Sequence, residues 1–197
     1  MRPPARADLA IRGGRVVLED GVVARDILVR DGTIAALAAP GEGASGEAID
    51  ARGLLVLPGV VDAHVHFNEP GRADWEGWER GTRGAAAGGV TTVLDMPLNS
   101  LPATTTVAAL AAKRAAAEAS ALIDFGLWGG LVSADGPPLA ALRDAGAVGV
   151  KAFLCDSGVP EFPPLRDLDR ALAAAARADV TVALHAEDDE VVREGGA

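Results

Sequence analysis

The sequence is short of cysteine, lysine and histidine, and each shortage narrows what the chain can be. A single cysteine, Cys155, excludes an internal disulfide. Of the 18 basic residues only Lys113 and Lys151 are lysine, so a lysine stands out against the default use of arginine. Three histidines occur, His64, His66 and His185. No apolar run is long enough to span a bilayer, residues 1–14 lack the apolar stretch of a secretory signal, and no repeat of fixed period is present. Positive charge is also scarce. A formal net charge of -10 repels nucleic acid and anionic membranes, which leaves small molecules and cations as partners and the cytoplasm as the expected location.

Apolar residues make up 49% of the 197-residue chain, enough for one ordinary domain or for a small domain joined to part of a larger one. Residues 8–37 read as short strands punctuated by Gly13-Gly14, Asp20-Gly21 and Asp31-Gly32. The two Asp-Gly pairs are strong hairpin signals, so a small antiparallel meander is expected. Residues 40–46 read as a loop, 48–50 and 54–57 as further strands, and Pro58-Gly59 as the boundary between an N-terminal segment, 1–58, and a second region, 59–197. Beyond that point apolar strands (60–67, 90–96, 123–132, 149–154, 180–185) alternate with Ala-rich helices (75–87, 106–119, 138–145, 165–178). Such alternation implies an α/β chain of parallel βαβ units. Either a doubly wound sheet or a barrel fits it, and the choice falls to where the chemistry lies.

Residues two apart on a strand share a face, so Asp62, His64 and His66 project together while Val61, Val65 and Phe67 pack behind. Two imidazoles placed so can share a metal ion, or can be ordinary buried histidines with hydrogen-bond partners. Lys151 interrupts the apolar run 148–154, where an ammonium is costly unless neutralised or paired. A neutral lysine amine can take up carbon dioxide to give a carbamate able to bridge two metals; a guanidinium cannot. The plainer reading is a lysine reaching solvent from a strand end. His185 closes the strand 180–185, ahead of the acidic turn 187–190, which suits a helix start. All three histidines thus end predicted strands, the edge where parallel α/β folds carry their chemistry. Together with Lys151 they favour a metal site. Asp62 is a candidate partner behind a ligating imidazole. Cys155, Trp75 and Trp78 read as packing residues.

The runs HVHFNEPGR (64–72), DWEGWERGTR (74–83), AAGGVTTVLDMPLNSLPATT (86–105), GVKAFLCDSG (149–158) and LHAE (184–187) are spread along the second region. In these the chain resembles the allantoinase family of the amidohydrolase superfamily. The resemblance implies that His64 and His66 bind one divalent ion, that His185 binds a second, and that Lys151, as N6-carboxylysine, bridges the two, with zinc the first choice of metal. It implies a (β/α)8 metal-dependent hydrolase barrel, of which about five of eight βα units lie here, preceded by a small β-sandwich segment. It implies opening of a cyclic ureide in purine catabolism, and a homo-oligomer, a tetramer. Neutral Asn68 stands where dihydroorotases place an arginine for the substrate carboxylate, which suits the uncharged allantoin ring. Asn68 and Asn99 are candidate substrate-binding residues, although loop and turn roles also explain asparagine. The alternatives are a dihydroorotase, a hydantoinase or dihydropyrimidinase, or a scaffold without catalysis. The family's catalytic aspartate and remaining histidine ligand are expected beyond residue 197, so the chain is expected to be a fragment, inactive alone.

Overall fold

The computed structural model describes residues 6–134 and 139–195. The chain divides into two compact units, Met1–Pro58 and Gly59–Ala197. In the first, seven strands run β1 (Ala7–Arg12), β2 (Arg15–Leu18), β3 (Gly21–Ala24), β4 (Asp26–Arg30), β5 (Thr33–Ala38), β6 (Ser45–Asp50) and β7 (Leu55–Val56). They form two sheets, ordered β5-β4-β1-β6 and β3-β2-β7, rather than one meander. The hairpins are as local signals dictate: Asp31 and Gly32, at φ 50 and 71, turn β4 into β5 as a two-residue loop with both φ positive. The Asp20-Gly21 pair acts differently, because Leu18 pairs with Gly21 and the turn is Glu19-Asp20. The parallel pairings β1 with β6 and β2 with β7 join strands distant in sequence, which no turn motif announces.

The second unit alternates strand and helix: β8 (Val60–Val65), α1 (Trp78–Ala87), β9 (Val90–Asp95), α2 (Val107–Ser120), β10 (Asp124–Leu127), β11 (Gly129–Gly130), α3 (Leu139–Asp144), β12 (Val150–Phe153), α4 (Leu168–Arg177), β13 (Val182–His185) and α5 (Asp189–Gly195). Every strand pair is parallel, in the orders β8-β9-β10 and β11-β12-β13. The expected strand 123–132 is two pieces, because at Trp128 the chain passes from one partner to the next. Trp128 N–H bonds Asp95 O at 3.0 Å, while Gly129 N–H bonds Gly149 O at 2.8 Å. Strand order therefore follows chain order, and no reversal of the kind that marks a doubly wound sheet occurs among the described strands. β8 and β13 have one partner each among those strands.

Helix starts are set by side-chain caps. Thr106 Oγ1 accepts from Ala109 N–H at 3.2 Å to open α2, and Asp167 Oδ1 accepts from Arg170 N–H at 3.1 Å to open α4. α1 begins three residues later than its apolar pattern suggests, because Gly77, at φ 84, turns the chain and Glu69 Oε2 accepts the Trp78 N–H at 2.9 Å. Trp75 is left outside the helix, 60% exposed under the Arg72 guanidinium, which corrects its reading as a helix-packing residue. Trp78 is buried against Phe67 and Phe125. The expected start of α3 at Pro138 lies outside the described residues, and no helix among the described ones is long and apolar enough to cross a membrane.

Phe67, next to His66, lies flush on α1 because position 81 has no side chain. A Cβ there would come within 2.2 Å of the Phe67 ring. Gly84, one turn on, faces open space. In a helix interior Gly→Ala ordinarily stabilises by roughly 1 kcal/mol. Gly84→Ala is expected to gain about that much in urea unfolding, whereas Gly81→Ala is expected to lose stability, since a ring and a methyl cannot share the space. Equal gains at both positions would refute the packing described for Phe67.

Candidate metal centre

The histidines lie at the C-terminal ends of β8 and β13, and Lys151 is the second of the four residues of β12. His64 lies in β8 and His66 just beyond it, and their Nε2 atoms approach to 3.2 Å. Two imine nitrogens at that distance have no proton to share when both rings are neutral in the Nδ1-H form. Ligands about 2.0–2.1 Å from a tetrahedral divalent ion lie about 3.3 Å apart, so the pair fits a shared ion. His66 Nδ1 is buried without a hydrogen-bond partner. The His66 pKa is lowered from 6.5, first by burial, then by the charge of His64, with the Leu98 backbone acting in the opposite sense and the charges of Lys113 and Lys151 adding to the lowering. The Leu98 contact falls short of a hydrogen bond, and burial dominates. Asp62 Oδ1 accepts the backbone N–H of His64 at 3.1 Å, so this carboxylate holds the main chain at the ligand rather than an imidazole.

Lys151 sits in β12, opposite Gly130 on one side and Ala183 on the other, and is 4% exposed. No carboxylate pairs with it among the described residues. Burial lowers its pKa, and the charge of Cys155 opposes that shift. Its Nζ lies 5.1 Å from the Phe153 ring centroid, and the His185 ring stacks on Phe153 at 4.6 Å. A buried lysine biased toward its neutral amine suits carbamate formation. His185 Nε2 meets Glu187 Oε2 at 3.1 Å, and Cys155 Sγ lies 3.7 Å from the same oxygen. Cys155, His185 and Glu187 offer ligand atoms within 4.8 Å of one another. Glu187 was legible only as the first turn of a helix, so its approach to His185 comes from the structure alone.

The loops after β8 and β9 carry the asparagines. Asn68 and Asn99 adopt φ 66 and 70, a left-handed backbone that asparagine tolerates better than most residues, so the turns alone account for both. Asn68 is also 8% exposed with Oδ1 buried and unpartnered, which leaves a polar group for a ligand. Arg72 ties the loops together, donating from Nη1 to Asn99 O at 2.8 Å, and Leu101 N–H bonds Pro70 O at 2.8 Å. The structure thus brings His64 and Lys151 each within electrostatic reach of His66, and joins Lys151 to His185 through Phe153. The His185 ring stacks on Phe153 and meets Glu187.

The model of the amidohydrolase family matches residues 55–195. The chain belongs to the amidohydrolase family. Among its relatives, an allantoinase of Solibacter usitatus is 50% identical over 94% of this chain and 41% of its own length. An allantoinase of Rubrobacter xylanophilus is 48% identical over 93% and 41%. Of solved structures, the L-hydantoinase of Arthrobacter aurescens superposes with a TM-score of 0.88 at 34% identity, covering 95% of this chain and 42% of that one. A D-hydantoinase gives 0.78 at 26% identity, covering 95% and 41%. The chain therefore spans about two fifths of the length of these relatives.

His66 gives this site a pH signature. Its folded-state pKa lies below 6.5, so below that value the unfolded chain binds the proton more readily. Stability of the metal-free protein is expected to fall as pH drops from 6.5 toward the depressed value, and to level off below it. In His66→Phe the same acid loss should be smaller. Urea midpoints measured across this range check it, and parallel pH profiles for the two proteins would refute it.

Proposed function

We propose that the intact protein hydrolyses the ring amide of allantoin to give allantoate, as a step of ureide breakdown. Identity to the allantoinases, 50% against 34% for the L-hydantoinase, is the observation that carries the choice of substrate. On this reading His64 and His66 would hold one divalent ion and His185 a second, and Lys151, as N6-carboxylysine, would be a ligand to both. The amine of Lys151 attacks carbon dioxide, forming an N–C bond and releasing one proton, and burial favours the neutral amine this needs. Two divalent cations, zinc being the first candidate, would supply polarisation of the ring carbonyl and a water acidic enough to attack it near neutral pH.

The remaining roles belong to the protein. Asp62 steadies the His64 backbone. Asn68, with its buried unpartnered oxygen, accepts from a ring N–H, and Asn99 lines the same loop pair. A neutral side chain at position 68 suits a neutral ureide better than the carboxylate of dihydroorotate. The same reading makes β8 to β13 about five of the eight strands of a (β/α)8 barrel, with the two sheets of the first unit contributing to a small β-sandwich, in a cytoplasmic homo-oligomer. Hydantoin is the second substrate to consider, because the backbone superposes on an L-hydantoinase with a TM-score of 0.88.

Turnover of allantoin, hydantoin and dihydroorotate by the intact protein decides between these readings. Allantoin is expected to have the highest kcat/KM, and a higher value for either competitor would overturn the assignment. Lys151→Ala is expected to lower kcat/KM by more than about 100-fold, beyond the 10–100-fold usual for groups behind the ligands. Lys151→Arg should not restore it, because a guanidinium forms no carbamate.

A further inference from the structure

Asp95 and Lys113 form an ion pair in which both side chains are 0% exposed. Neither belongs to the candidate ligand set. Asp95 ends β9, and Lys113 reaches it from α2. Besides the pair itself, Asp95 Oδ1 accepts the Phe67 N–H at 2.7 Å, and Lys113 Nζ donates to Met96 O at 2.5 Å. The contacts meet two backbone segments of interest. Phe67 follows His66 directly, and Met96 opens the loop that carries Asn99.

Stability is a poor reason for such a pair. Removing two charges from water costs several kcal/mol per ion, and well-packed apolar replacements are often as stable or more so. Backbone geometry gives a better one. The β8–β9 ladder is irregular and its final register pair is Val65 with Asp95. Phe67 lies past that pair, where no strand offers its N–H a carbonyl. The carboxylate of Asp95 takes the place of the missing ladder partner. The Phe67 carbonyl is tied separately, to Gly77 N–H at 2.9 Å. Lys113 keeps the carboxylate an acceptor and anchors it to Met96.

We propose that Asp95 and Lys113 are positioning residues for the histidine pair, fixing the main chain at 66–67 so that His66 Nε2 meets His64 Nε2. Their relevance to a bound cation rests on the metal reading above, but the positioning itself is visible without metal. Two double variants of the intact protein separate the carboxylate's hydrogen bond from its charge. Asp95→Leu with Lys113→Met removes the acceptor and both charges. Asp95→Asn with Lys113→Met removes the charges but keeps an amide oxygen for Phe67 N–H.

In 15N-labelled metal-free protein the Leu/Met combination is expected to lose Phe67 amide protection and to shift the ring nitrogens of His64 and His66. The Asn/Met combination should retain the wild-type ring signals. Titration with cobalt(II) should show affinity reduced about 10–100-fold in the first and within a few-fold of wild type in the second. Wild-type ring signals in both variants, or equal disturbance in both, would overturn the proposal. Absence of cobalt(II) binding by the wild type would instead count against the metal reading, and the ring signals would still decide the positioning role.

Discussion

Consecutive parallel pairing is the constraint on which the second unit depends. β8, β9 and β10 pair in chain order, as do β11, β12 and β13, and the chain passes from the first set to the second at Trp128. Register sets Lys151 beside Gly130 and Ala183, and Phe153 beside His185. Position 130 is glycine because Phe162 and Thr105 fill the space beside it: a Cβ there would come within 2.6 Å of the Phe162 ring and 2.8 Å of Thr105. Helices supply the crossovers and cover the strands, with Leu110, Leu142, Ala171 and Ala175 buried in the common core.

Within that frame, charge is buried at two points and with two consequences. Lys151 has no carboxylate partner among the described residues, and burial biases it toward the neutral amine. Asp95 and Lys113 have one another; burial pushes the carboxyl up and the ammonium down, and their mutual attraction opposes both shifts. One arrangement leaves an amine free for chemistry, and the other binds two loops to a strand end. The same Lys113 charge contributes to the lowering of the His66 pKa, which links the pair electrostatically as well as mechanically to the candidate ligands.

Much of this was legible in the residues themselves. The alternation of apolar runs and Ala-rich stretches gave the order of strands and helices, and the His64-Val65-His66 triplet, read with Lys151 and His185, pointed to one sheet edge. What escaped has physical reasons. Lysine scarcity drew notice to Lys151 but applied equally to Lys113, which an Ala-rich helix disguises as a solvent-facing residue. Its partner Asp95 falls inside the expected strand 90–96, and no spacing in the sequence ties that carboxylate to Lys113 on α2. The parallel β1–β6 and β2–β7 pairings are long-range and leave no turn signature, unlike Asp31-Gly32. Trp75 falls in the expected helix 75–87, while Gly77 and Glu69 place the helix start after it.

The central claim is that His64, His66, Lys151 and His185 hold two cations with a carbamate between them. Anomalous diffraction from crystals of the intact protein, grown with zinc and bicarbonate and recorded at the zinc absorption edge, tests it most directly. The account predicts two peaks, one on the His64–His66 pair and one on His185, with continuous density from Lys151 Nζ between them. A single peak held by Cys155, His185 and Glu187, with Lys151 unmodified, would contradict it.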